Sequence, residues 1–250
     1  MAINGRNVVA TIEVRMTSTR LPGKVLMPIA GKPVLQHVIE RHRRSKLTDE
    51  VVVTTTINET DEPIVELCEQ IKCPYFRGSE EDVLGRIVGA GEEHKADILV
   101  QGMSDDPLID WRYVDQLVEM LAKGDYDCAS SEFKETFPIG LGMRVYSFPK
   151  LRDAALVDVA PAYREHAGYS IRSQPEKFKV INLEAAGNMH WPTLRLTLDT
   201  DADYKLISAV YDALYPSNQD FSAEDVVAFL KKRPELVAIN AEVKQKVPTA

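Results

Sequence analysis

The chain predicts an α/β protein with a mostly parallel central sheet, and three observations carry that expectation. Short apolar runs alternate with amphipathic stretches of helical spacing through the first half of the chain. The runs are rich in Val, Ile and Thr, as strands covered on both faces require. Segments punctuated by Gly, Pro and polar residues follow the runs, where an open parallel sheet gathers its ligand-binding loops. At 250 residues the chain suffices for one domain with a sizeable core, and no repeat or Gly/Ser-rich linker divides it.

Residues 8–12 (VVATI) read as a buried first strand. Pro22-Gly23 forbids continued strand, so residues 15–24 (RMTSTRLPGK) form a loop at its carboxyl end. Arg15, Arg20 and Lys24, with the hydroxyls of Ser18 and Thr19, suit a polyphosphate; a solvated basic loop is the alternative. Gly31-Lys32-Pro33 opens a helix that turns Leu35, Val38, Ile39 and His42 inward and Arg41, Arg43 and Arg44 outward. Residues 50–56 (EVVVTTT) form a second strand buried on both faces, and Asp61 caps a helix over 62–72. A third strand covers 74–77, followed by a helix carrying Val83, Leu84 and Ile87. The fourth, 96–101 (ADILVQ), ends at Ser104-Asp105-Asp106-Pro107, and a helix over 111–123 stops at Gly124. Such alternation implies right-handed crossovers. Beyond it, strands are expected over 127–131, 141–148, 178–183 and 194–198, and helices over 163–173, 202–214 and 223–232.

Hydrophobic residues make up 44% and charged residues 27%, ordinary for a soluble globular protein. No apolar run approaches the roughly 20 residues of a membrane span. The opening MAINGRN lacks the apolar core of a signal peptide, so no membrane association and a cytoplasmic location are expected. Cys68, Cys73 and Cys128 are an odd number without CxxC spacing, which disfavours a disulfide framework and a structural zinc site. Net charge is -8, yet residues 1–46 hold nine Lys/Arg against Glu13 and Glu40, a local +7 beside −15 elsewhere. An acidic chain with one basic pole suits a small anionic ligand and is a poor binder of nucleic acid.

Two carboxylate clusters close predicted strands, Asp105-Asp106 and the set Asp199, Asp201 and Asp203. Mg²⁺ takes one or two carboxylates plus phosphate oxygens and water. If both strands share one sheet, Asp105 and Asp199 could hold Mg²⁺ against phosphates bound by Arg15 and Lys24. The alternative is a turn at Asp106-Pro107 and a helix cap at Asp201. Neither GxGxxG nor GxxxxGK[ST] occurs, which disfavours a dinucleotide-dependent oxidoreductase and a P-loop kinase.

Residues 15–24 also resemble the R-x-G-S-x-R-x-P-x-K signature of the cytidylyltransferases, the family of the CMP-3-deoxy-manno-octulosonate and CMP-acylneuraminate synthetases. Residues 77–86 (RGSEEDVLGR), 105–110 (DDPLID), 164–166 (REH) and 194–200 (LRLTLDT) continue the resemblance in order, closest to the spore coat polysaccharide biosynthesis protein F-type branch. The resemblance implies a Rossmann-like nucleotide-diphospho-sugar transferase fold, one domain with a small β-rich insert over 125–190 for acceptor binding and homodimer contact. It implies Mg²⁺-dependent transfer of CMP from CTP to a small anionic acceptor, with release of pyrophosphate, for surface polysaccharide biosynthesis. Acceptors in the family are sugar, polyol or amino-acid-type phosphates and keto-sugar acids.

Carried over residue by residue, Arg15 and Lys24 neutralise charge at the α-phosphate beside a catalytic Asp105. Ser18, Thr19 and Arg20 join them on the triphosphate. Arg77, Ser79 and Asp82 fall near the base and ribose, Asp105 and Asp199 hold Mg²⁺, and Arg164, Glu165 and His166 face the acceptor. Three positions depart from the family pattern. Thr17 replaces a usual glycine, Gln101 stands where arginine is common, and Arg144 stands where glutamate is common. Arginine suits a phosphate or carboxylate, so an acceptor with an extra anion near Arg144 is expected. A nucleotide-sugar-dependent glycosyltransferase using Asp105-Asp106 as its metal motif, and a non-catalytic nucleotide-binding relative, stand as alternatives.

Overall fold

Strand β1 (Val8–Glu13) lies in the middle of the fold, because its apolar residues are covered on both faces and both of its edges are paired. After it come a two-stranded ladder of β2 (Pro28–Ile29) and β3 (Lys32–Pro33), then α1 (Val34–Arg43), β4 (Glu50–Thr56), α2 (Glu62–Gln70) and β5 (Tyr75–Gly78). Next are α3 (Val83–Glu93), β6 (Ile98–Met103), α4 (Trp111–Lys123), β7 (Cys128–Ser130), β8 (Arg144–Ser147) and α5 (Phe148–Val157). The chain continues with α6 (Pro161–Glu165), α7 (Tyr169–Ser173), β9 (Val180–Asn182), α8 (Asp201–Leu214), α9 (Ala223–Lys231) and α10 (Pro234–Val237). This computed structural model describes residues 3, 5–157, 160–165, 167–174 and 176–245.

The central sheet has seven strands in the order β5-β4-β1-β6-β8-β7-β9. Its pairs are parallel except where β8 runs against β6 and β7. This is the α/β architecture expected, with the strands of residues 125–190 joined to the edge of the same sheet and accompanied by α5, α6 and α7. Alternating residues of β1 feed different cores. Val8, Ala10, Ile12 and Val14 pack with α1, α2 and α4, whereas Val9 faces α3, α5 and α7. A third core joins α8 and α9 to Leu194, Leu196 and Leu198. Among the described residues no helix is long and apolar enough to cross a membrane.

Local expectations fail where a distant partner overrides local pattern. Lys32 and Pro33 pair in β3 and the helix begins at Val34, after Pro33 in an extended conformation. Arg41 is buried rather than outward: its Nε donates to the Ile109 carbonyl and Nη2 to that of Phe221, 3.1 Å away. Asp61 does not cap α2 through its side chain. The helix expected over 163–173 is two short ones, broken at Gly168, whose φ of 72° and close approach to the Tyr146 hydroxyl leave no room for a Cβ. Residues 194–198 alternate in sequence but make no strand; Ile139 and Arg195 form a single bridge. Residue 148, expected in a strand, opens α5, with Pro149 in its first turn.

His42 shows how tightly the first core is closed. Its ring sits where a Cβ on Gly102 would lie, and neither ring nitrogen has a hydrogen-bond partner among the described residues. Burial, with the adjacent Arg41 charge, pushes its pKa down to about 4. The unfolded chain binds a proton near pH 6.5 that the folded chain refuses, so stability falls as pH drops from about 6.5 to about 4. That window removes about 3 kcal/mol from the folding free energy through His42. Urea unfolding across it should show the loss, and His42→Leu should flatten the slope.

Candidate functional site

The loop after β1 is held at both ends by buried groups. At its start, Met16 N–H donates to Asp61 Oδ1 at 2.8 Å, while Asp61 Oδ2 accepts from the Thr55 and Thr56 hydroxyls and the Thr56 amide. That network is what draws Asp61 away from a capping role. Gly23, at φ 71°, then turns the chain into a short 3₁₀ segment that begins at Lys24. The side chain of Lys24 is thereby directed inward, and the residue is 7% exposed.

Lys24 Nζ donates to Asp199 Oδ1 at 2.9 Å, to Asp105 Oδ2 at 3.2 Å and to the Leu198 carbonyl at 2.7 Å. Asp199 Oδ2 takes Arg20 and Arg195, each at 2.7 Å, and Arg195 also binds Asp203. Although residues 194–198 are not in the sheet, they arrive at its edge because Leu198 N–H donates to the Asp105 carbonyl at 2.7 Å. Burial alone would raise the Asp199 carboxyl, but Lys24, Arg195 and Arg20 outweigh it and hold its pKa below the ordinary range. Lys24 is pulled down by burial and lifted further by Asp105 and Asp199, so it stays charged. Asp106, fully buried beside Asp105, is driven well above a normal carboxyl by desolvation.

Lys24, Arg20, Asp105 and Asp199 stand on the wall of a cavity of about 320 Å³. Of the residues expected at a site, Arg15, Ser18, Thr19, Arg20, Lys24, Asp105, Asp199 and Glu165 line it. Arg15 reaches Glu80 at 3.1 Å, and Glu80 also accepts from Thr17 and Asn58. Thr17 therefore places its hydroxyl on Glu80 at 2.7 Å.

Other expected residues do not line this cavity. Arg77 turns to the carbonyls of Thr56 and Asn58 and to Glu62. The Ser79 carbonyl accepts from Arg86. Asp82 caps α3 through Gly85 N–H and pairs with Arg164, joining α3 to α6. Arg144, expected to meet an acceptor's anion, instead forms an ion pair with Glu132 and leans on Gln101. His166 lies outside the described residues. Glu13, Arg86 and Ser104, which the sequence reading passed over, are on the wall. The available signal was an acid closing an otherwise apolar strand at Glu13, and a cation on the inner side of α3 at Arg86.

Among the described residues no three His, Cys, Asp or Glu side chains converge on one metal position. Two carboxylates with a phosphate oxygen and water nonetheless suffice for Mg²⁺. Asp105 fits, since its Oδ1 carries no partner among the described residues and the side chain is 29% exposed on the cavity wall. Asp199 fits less readily, because both of its oxygens already accept from cations.

A family model described as cytidylyltransferase matches residues 9–231. The spore coat polysaccharide biosynthesis protein SpsF of Bacillus subtilis is 32% identical over 235 residues, which cover 92% of this chain and 96% of that protein. The structure of a cytidylyltransferase from Leptospira borgpetersenii matches with a TM-score of 0.85 at 27% identity, covering 96% of this chain and 98% of that one. A CMP:2-keto-3-deoxy-manno-octonic acid synthetase complexed with CTP shares the fold, with a TM-score of 0.62 at 20% identity over 82% of this chain and 98% of that chain.

The pinning of the loop by Asp61 is open to test. Asp61→Asn turns one accepting oxygen into a donor that faces an N–H or O–H. Urea unfolding should show a loss of about 2 kcal/mol. Amide exchange over residues 15–24 should quicken, as the loop loses its anchor at Met16.

Proposed function

The chain belongs to the cytidylyltransferase family, and from that premise we propose that it transfers CMP from CTP to a small anionic acceptor with release of pyrophosphate. The observation that carries the reading is the Lys24 ammonium, fixed by Asp105 and Asp199 on the wall of the cavity that Arg15 and Arg20 also line. Phosphoryl transfer of this kind asks little covalent chemistry of the protein; it needs the reactants aligned and the developing charge neutralised. Three oxygen partners hold Lys24 in place, so no reorganisation is needed when charge builds at the α-phosphate. Arg15 and Arg20 pair through one nitrogen each with Glu80 and Asp199, at 3.1 and 2.7 Å, and the several donors of a guanidinium leave others for the outer phosphates, with Ser18 and Thr19 as further donors.

Asp105 is the residue to hold Mg²⁺, through its open oxygen, and Asp199 would share the ion on releasing one of its cations. When bound, the ion supplies charge neutralisation on the phosphates. Asp199 meanwhile keeps Lys24 and Arg20 aimed at the cavity. The name of the SpsF relative supports a surface polysaccharide as the destination of the activated product. A glycosyltransferase reading would leave the basic loop without a triphosphate, and family membership sets it aside.

Pyrophosphate release, measured for four nucleoside triphosphates crossed with anionic acceptors, should occur with CTP and disappear on adding EDTA. Lys24→Met should lower kcat/KM by about 100-fold or more. Equal turnover of all four nucleotides, or a fully active Lys24→Met enzyme, would refute the reading.

A further inference from the structure

Arg86 is a buried cation of the cavity wall that pairs with no carboxylate among the described residues. The other cations of the wall are each matched, Lys24 by Asp105 and Asp199, Arg20 by Asp199 and Arg15 by Glu80. The acids whose charge bears most on Arg86 are Glu13, Asp61 and Asp82, and each is engaged elsewhere. Glu13 accepts from Gln101 at 2.6 Å, Asp61 from the Met16 amide and two threonines, and Asp82 from Arg164 and Gly85 N–H.

The way α3 presents the side chain decides which nitrogen meets a ligand. Its stem passes over Gly78 of β5, where an added Cβ would come within 2.8 Å of Arg86 Cγ. Beyond that point Nη1 donates to the carbonyls of Ser79 and Glu80, the latter at 3.1 Å. Nε and Nη2 have no hydrogen-bond partner among the described residues, and Nε is enclosed by protein. Nη2 is therefore the donor left for a ligand, on a residue that is 3% exposed and borders the cavity. A guanidinium stays charged and has only donors, so burying it without a counter-ion carries a cost that an arriving anion would offset.

We infer that Arg86 is a further substrate-binding residue, its Nη2 donating to an anionic oxygen of a phosphate or carboxylate carried into the cavity. This rests on the nucleotidyltransferase reading above and adds a cation that the loop after β1 does not supply. Two sources offer such an oxygen, a phosphate of CTP and the anion of the acceptor. Glu80, whose carbonyl Arg86 holds, binds Arg15 of the phosphate loop through its side chain, whereas Asp82, one turn before Arg86, binds Arg164 beside Glu165. Burial lowers the Arg86 pKa, and Glu13 lifts it back only in part. A ligand oxygen in contact would supply the rest.

Titration calorimetry with CTP and with inorganic pyrophosphate reads the first source. KM in pyrophosphate release, with glycerol 3-phosphate or 3-deoxy-manno-octulosonate, whichever is turned over, reads the second. Arg86→Met should weaken CTP and pyrophosphate binding, or raise acceptor KM, by about 10-fold or more. Arg86→Lys, which keeps the charge, should recover part of that loss, as a merely structural arginine would not allow. Gly78→Ala pushes the Arg86 stem aside without removing its charge; it should move the same quantity in the same direction, and carries the test if Arg86→Met does not fold. Weakened CTP binding assigns the contact to the nucleotide, and a raised acceptor KM at unchanged CTP affinity assigns it to the acceptor. Unchanged CTP affinity, pyrophosphate affinity and acceptor KM overturn the inference, as does a loss as large in Arg86→Lys as in Arg86→Met. An unaltered protein that binds CTP but releases no pyrophosphate overturns the transferase reading instead, and the dependence of CTP affinity on Arg86 then decides the inference by itself.

Discussion

One ammonium group sets the architecture of the cavity. Lys24 follows β1, Asp105 follows β6 and Asp199 precedes α8, and the buried contacts among them tie three distant stretches of chain to one point. Asp105, Asp199 and Asp203 could not gather there unaided, since desolvated carboxylates repel. Lys24, Arg20 and Arg195 are interleaved with them, so that each acid meets a cation. A buried cluster of this kind adds little net stability, because desolvation offsets much of the attraction. It does exact a severe penalty for any member out of place, which makes the geometry definite.

The parts legible in the sequence were those that local pattern governs. β4 is buried along nearly its whole length, as EVVVTTT implied, and α4 runs from Trp111 to Lys123 as its spacing implied. The loop at the end of β1 was legible because Pro22 and Gly23 leave the backbone few choices. Long-range contacts account for the rest. Helical spacing puts Arg41 on an outer face, but the carbonyls of Ile109 and Phe221 come from loops far along the chain and claim it. Residues 194–198 alternate because an extended segment packed on α8 and α9 has the same inside–outside period as a strand. The basic residues of the loop read as free partners for phosphate, whereas Arg20 and Lys24 are held on Asp199. Glu13 and Arg86 were hidden by their surroundings: each is a charged residue within an apolar stretch, and only the assembled cavity gives either something to face.

Charge is distributed unevenly in the folded molecule as in the chain. The cations of the first segment collect on the cavity wall, where Arg20 and Lys24 stand directly against the carboxylates of Asp199 and Asp105.

The reversed direction of β8 has an evolutionary consequence. Because β8 runs against β6, it begins rather than ends at the edge where the parallel strands deliver their loops, with Arg144 opposite Gln101. The connection over 131–143 therefore emerges on the ligand side although it precedes its strand. No described residue of that connection lines the cavity, so changes of length or composition there act at the same edge of the sheet and leave the phosphate loop untouched. A lineage built on this frame can exchange what it activates while conserving how it activates.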